Sequence, residues 1–201
     1  MADLRELPPG GGKYMNPFII VVNFVMAGIV VLFFALSYGY IFTMGSGWIE
    51  FKLPKVFWLS TVCILAVSFF LRRSQRYYDL DRPAPLRRSI LIAMIMASLF
   101  IVCQVIGWTE LYSSGKNLQI SPSVSYLYVL TGLHAAHVLV GIIFLIVAVY
   151  RFWINTLDPV KSLLFFTDPA RKARLKMLCT YWHTIDFLWV FIFLAFLFKH
   201  A

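Results

Sequence analysis

Tyr181-Trp182-His183-Thr184-Ile185-Asp186-Phe187-Leu188-Trp189 interrupts an apolar run, residues 177–198, that carries no other charged side chain. A helix of ~20 apolar residues crosses the ~30 Å of a bilayer's hydrocarbon, and this run is long enough to do so. Asp186 is then a carboxylate inside a membrane. An ionisable group at that depth costs a few kcal/mol or more unless it faces protein and finds a partner. The stretch therefore predicts a membrane helix whose polar face is buried against other helices.

Four more apolar stretches precede it, at residues 17–43, 55–71, 89–108 and 124–150. With 61% hydrophobic residues, 17% aromatic and only 13% charged over 201 positions, the composition is that of an integral membrane protein. The expected fold is all-α, with five transmembrane helices in one bundle. Their expected spans are about 17–43, 54–76, 88–112, 122–151 and 169–199, making a membrane domain of residues 17–201. The first and fourth stretches exceed the minimum, which allows tilt or protrusion.

Residues 1–16 read as a flexible, retained cytoplasmic tail. Asp3 and Glu6 flank Arg5, and Pro8-Pro9-Gly10-Gly11-Gly12 follows, so the basic start and short apolar core of a secretory signal are missing. Cys63, Cys103 and Cys179 lie in apolar helices with no Cys-x-x-Cys spacing, as buried free thiols do. Arg72, Arg73, Arg76, Arg82, Arg87 and Arg88 occupy the second connection. Arg151, Lys161, Arg171, Lys172, Arg174 and Lys176 occupy the fourth. The opposite side receives only Lys52, Lys55, Lys116 and Lys199. The positive-inside rule then puts the N-terminus in the cytoplasm and the C-terminus outside. The net charge of +9 is thus a topology signal and not the basic patch of a soluble nucleic-acid-binding domain.

Ser121-Pro122 and Asp168-Pro169 each read as an N-cap followed by proline at the first helical position, where a missing N–H costs nothing. Asp158-Pro159 repeats the pattern ahead of residues 160–166, an expected amphipathic turn at the cytoplasmic interface. Arg171, Lys172, Arg174 and Lys176 would stand among anionic headgroups, at about 1 kcal/mol of attraction each.

His134 and His137 stand at i and i+3 on the fourth helix, and His183 and Asp186 do so on the fifth. Two readings follow. The four side chains form a metal or haem site, or His183 and Asp186 satisfy each other or backbone and histidine groups on the fourth helix, joining two helices at ~1 kcal/mol per hydrogen bond. The second is favoured, because no His-Glu-x-x-His or Cys-x-x-Cys signature is present and two axial imidazoles must approach a haem from opposite faces. Gly132 and Gly141 flank Ala135-Ala136 and offer a small-residue surface to a neighbouring helix. Trp182 and Trp189, seven apart, share a face with Tyr181 nearby, either as internal packing or as a wall against acyl chains or another subunit. Gln104 is the strongly polar side chain at depth in the third helix, expected to make an interhelical hydrogen bond.

Thr131-Gly132-Leu133-His134-Ala135-Ala136-His137-Val138-Leu139-Val140-Gly141, then Arg151 at the helix end, then Tyr181-Trp182-His183-x-x-Asp186-x-x-Trp189, resembles subunit III of the haem-copper respiratory oxidases. The five-helix length resembles the shorter bacterial forms, and Gln104 and the basic loop after Leu71 also fit. The resemblance implies a cofactor-free, non-catalytic subunit of a bacterial cytoplasmic-membrane oxidase. It would pack against catalytic subunit I, with subunit II nearby, haem and copper residing in those partners. It would also bind phospholipid and support proton uptake. Gln104, Gly132, His134, His137, Gly141, Arg151, Tyr181, Trp182, His183, Asp186 and Trp189 become its structural, lipid or subunit contacts. Quinol oxidases and some nitric oxide reductase systems have similar subunits, and an independent haem b protein using His134 or His137 with His183 is a rival of another class. Two positions depart from the family pattern: residues 17–43 contain no acidic residue, and Gly107 stands where a carboxylate often follows Gln104 by three.

Overall fold

The computed structural model describes residues 17–42, 53–116, 121–158 and 165–200. They form five long helices: α1 (Pro17–Phe42), α2 (Val56–Asp79), α3 (Pro83–Ser113), α4 (Pro122–Thr156) and α5 (Pro169–His200). All five are long and apolar enough to cross a membrane. The tail at residues 1–16 lies outside the described residues, as does most of the expected turn at 160–166; residues 165–167 are helical.

Several helices outrun their apolar cores. Backbone hydrogen bonding continues into water as long as no breaker intervenes, so α2 reaches Asp79 and α4 reaches Thr156. Between α2 and α3 the stop is a Schellman turn, with Asp81 N–H donating to Tyr78 O (3.1 Å) and Arg82 N–H to Tyr77 O (3.0 Å). Asp81 holds the left-handed position at φ 51°. Gly115, at φ 74°, ends α3 the same way. Of the expected caps, Asp168 Oδ1 accepts from Ala170 N–H at 2.9 Å. Ser121 precedes the N1 proline without a side-chain cap bond, its hydroxyl meeting that of Ser123 at 2.9 Å.

Each successive helix reverses direction. Arg87 Nη1 donates to Thr156 O (2.7 Å) at one end of α3 and α4, and Trp108 Nε1 donates to Thr131 Oγ1 (3.0 Å) towards the other. Phe57 of α2 faces Gly107 of α3 while Phe70 O accepts from Ser89 Oγ. The Arg-rich connections therefore share one end of the bundle.

α5 is the hub and α1 the outlier. Half of the apolar window of α5 is buried, against 11% of that of α1, which rests mainly on α4 and α5. Phe33 meets His134 and His137 of α4, and Phe34 and Tyr40 meet Phe191 and Phe196 of α5.

Candidate functional site

The aromatic and polar stretch of α5 lies where α2, α3 and α4 converge. Trp189, 1% exposed, is the keystone. Its ring packs against Phe57 of α2, Phe100 of α3 and His134 of α4, with centroids at 6.1, 5.0 and 5.1 Å. Its Nε1–H donates to Thr61 Oγ1 of α2 at 3.0 Å. A buried indole is most stable when its single N–H is paired, and here that bond also ties α5 to α2.

Trp182 is fully buried against α4. A Cβ added at Gly141 would stand 2.8 Å from Trp182 Cζ2 and 3.1 Å from Tyr181 Cε1, so hydrogen is the only side chain that fits. Tyr181 itself donates to His137 O at 2.9 Å. Of the two glycines, Gly141 is the one that makes the predicted close approach to α5. At Gly132 an added Cβ would meet nothing within 4 Å, which corrects the expectation that both glycines serve the contact. The two tryptophans are internal packing and not a wall facing lipid.

His183 and Asp186 also turn out differently from expectation. Their partner is α2. Ser68 Oγ lies 2.6 Å from His183 Nδ1 and donates to Asp186 Oδ2, while Arg72 Nε–H points at His183 Nε2 from 3.4 Å. Spacing along α5 correctly put His183 and Asp186 on one face, but it carries no information about which neighbour that face meets. Asp186 is 3% exposed, and its Oδ1 has no hydrogen-bond partner among the described residues.

The histidines of α4 are separate from this cluster. His134 is 1% exposed among Phe33, Phe100 and Trp189, and neither ring nitrogen is hydrogen-bonded among the described residues. His137 Nδ1 bonds back to Leu133 O at 2.7 Å. Among the described residues no group of three or more histidine, cysteine, aspartate or glutamate side chains is placed to hold a metal. Gln104 is buried and donates from Nε2 to Ser60 Oγ at 3.2 Å, the expected interhelical bond. Arg151 is exposed at the end of α4. The three cysteines are buried and free.

Sequence reading missed Ser68 and Thr61, the hydroxyls of α2 that receive the polar face of α5, and Ser60, which receives Gln104 of α3. Their signal is the seven-residue spacing of Thr61 and Ser68, which matches on α2 the heptad spacing of α5. From the sequence, Arg72 reads only as a loop charge. At the departure noted above, Phe57 fills the space beside Gly107: a Cβ there would stand 2.3 Å from Phe57 Cε1.

The family described as Cytochrome c oxidase subunit III matches residues 11–200. Cytochrome c oxidase subunit 3 of Corynebacterium diphtheriae is 29% identical over 109 residues, 54% of this chain and 48% of that protein. A probable quinol oxidase subunit 3 of Staphylococcus saprophyticus is 26% identical over 145 residues, 72% of this chain and 67% of its own. The corresponding Staphylococcus epidermidis protein is 28% identical over 106 residues, 53% and 48% of the two chains. The chain thus spans about half the length of the Corynebacterium relative and two thirds of the S. saprophyticus one. With the match running through all five helices, the chain belongs to the cytochrome c oxidase subunit III family.

Proposed function

We propose that the chain is a non-catalytic subunit of a haem-copper terminal oxidase in aerobic respiration. It docks on the catalytic subunit, with subunit II nearby, contacts phospholipid and supports proton uptake. The membrane is the bacterial cytoplasmic membrane, with the Arg-rich end of the bundle in the cytoplasm. The observation that carries this reading is the family match across residues 11–200. The side chains support it: His134 and His137 pack against Phe33 of α1, His137 also bonding back to Leu133 O, while His183 bonds to Ser68 of α2. That distribution disfavours the rival haem b protein, whose ligand pair would be His134 or His137 with His183. Haem and copper belong to the partners, so the electron donor, cytochrome c or quinol, is set there.

The test is to purify the tagged chain from its own membranes in mild detergent. A reduced-minus-oxidised spectrum is recorded and the co-purifying proteins are identified by mass. Haem arriving with a large histidine-rich subunit, and a colourless chain when expressed alone, is the expected result. Haem retained by the lone chain and lost in His183→Ala would overturn the reading. A copper-binding subunit II among the co-purifying proteins would assign cytochrome c as donor.

A further inference from the structure

The geometry points to a proton-binding site at Asp186 that is loaded through His183 and Ser68 and held shut by Arg72. The inference goes beyond the subunit assignment and rests on four side chains of this chain alone.

A guanidinium has donors only, and a neutral imidazole has one donor and one acceptor. Arg72 Nε–H aimed at His183 Nε2 therefore requires that nitrogen to be bare. The ring proton is then on Nδ1 and is donated to Ser68 Oγ, 2.6 Å away. With its oxygen accepting from His183, Ser68 donates its own proton to Asp186 Oδ2. Every donor in the chain Arg72, His183, Ser68, Asp186 points inward, and Asp186 Oδ2 at its end accepts, which leaves that oxygen bare in this arrangement. Arg72 is exposed, His183 and Ser68 are half-buried and Asp186 is buried, so the chain runs from the surface inward.

When Arg72 swings away, the row reverses in one balanced step. A water-borne proton bonds to His183 Nε2, the Nδ1 proton passes to Ser68 Oγ, and the former Ser68 hydroxyl proton passes to Asp186 Oδ2. His183 is neutral before and after, with its tautomer switched, and Asp186 has become a carboxylic acid donating to Ser68. His183 now presents N–H towards Arg72, whose return is blocked until the proton leaves. One exposed side chain and one buried proton exclude each other.

Several other ionisable groups on the helices around α5 have different neighbours. α1 contains no aspartate, glutamate, lysine, arginine or histidine. On α4, His134 lies among Phe33, Phe100 and Trp189, and His137 bonds to Leu133 O. On α2, Arg73 bonds to Tyr77 Oη, and Asp79 pairs with Lys172 of α5.

The test compares the purified wild-type protein with Arg72→Ala at neutral pH, using two readouts. In the infrared spectrum R72A should gain the carbonyl stretch of one carboxylic acid that the wild type lacks and that R72A/D186N loses. In nitrogen NMR of labelled histidine, the His183 proton should move from Nδ1 in the wild type to Nε2 in R72A, a comparison that needs no change at the buried carboxylate. A D186N-sensitive carboxylic acid already present in the wild type, its absence from both proteins, or the same His183 tautomer in both would overturn the proposal.

Discussion

At Gly141 a single methyl group decides whether α4 and α5 can meet, and at Gly132 it decides nothing. Gly141→Leu is expected to lower the melting temperature in detergent by the equivalent of ~1–3 kcal/mol, the usual cost of overpacking. Gly132→Leu should leave it unchanged, and equal melting of the two variants would refute the assignment of the contact. Removing the side chain of Asp186 leaves the Ser68 hydroxyl without its acceptor, a penalty of about 1–3 kcal/mol for an unmet buried hydrogen bond. Asp186→Ala should accordingly reduce the yield of assembled protein; full yield would mean the α2–α5 bond contributes little. Trp189→Ala, which empties the junction of three helices, should cost more, about 3–5 kcal/mol.

Elements show what a linear sequence can and cannot say. The apolar runs, the net asymmetry of arginine and the Asp168 cap were legible because each depends on residues close together along the chain. What was illegible is azimuth: His183 and Asp186 were rightly placed on one face, yet the neighbour opposite is chosen by the packing of whole helices. Hydropathy ends α2 and α4 too early for a related reason, since it marks where the bilayer stops and not where helical hydrogen bonding does. The Schellman turn after α2 offers a test at this scale. Its left-handed position is held by Asp81, where an aspartate costs more than glycine. Asp81→Gly should raise the thermal stability of the α2–α3 pair by ~0.5 kcal/mol, and Asp81→Val should lower it. A higher melting temperature for the valine variant would contradict the turn geometry.

For the whole molecule, all three thiols are buried within the bundle. A water-soluble maleimide should leave the native protein unlabelled and modify Cys63, Cys103 and Cys179 only after denaturation, as mass spectrometry would show. The crowding of arginine at one end predicts that a reporter fused after residue 201 is active only on the outer side of the membrane, and activity in the cytoplasm would invert the topology. The peripheral position of α1 also bears on the order of events at the ribosome. α1 is made before α2 and α3, yet the surfaces it rests on, α4 and α5, follow them in the chain. The α2–α3 hairpin can close as soon as α3 is made, whereas α1 must wait among lipids until two further helices and then α4 have been translated.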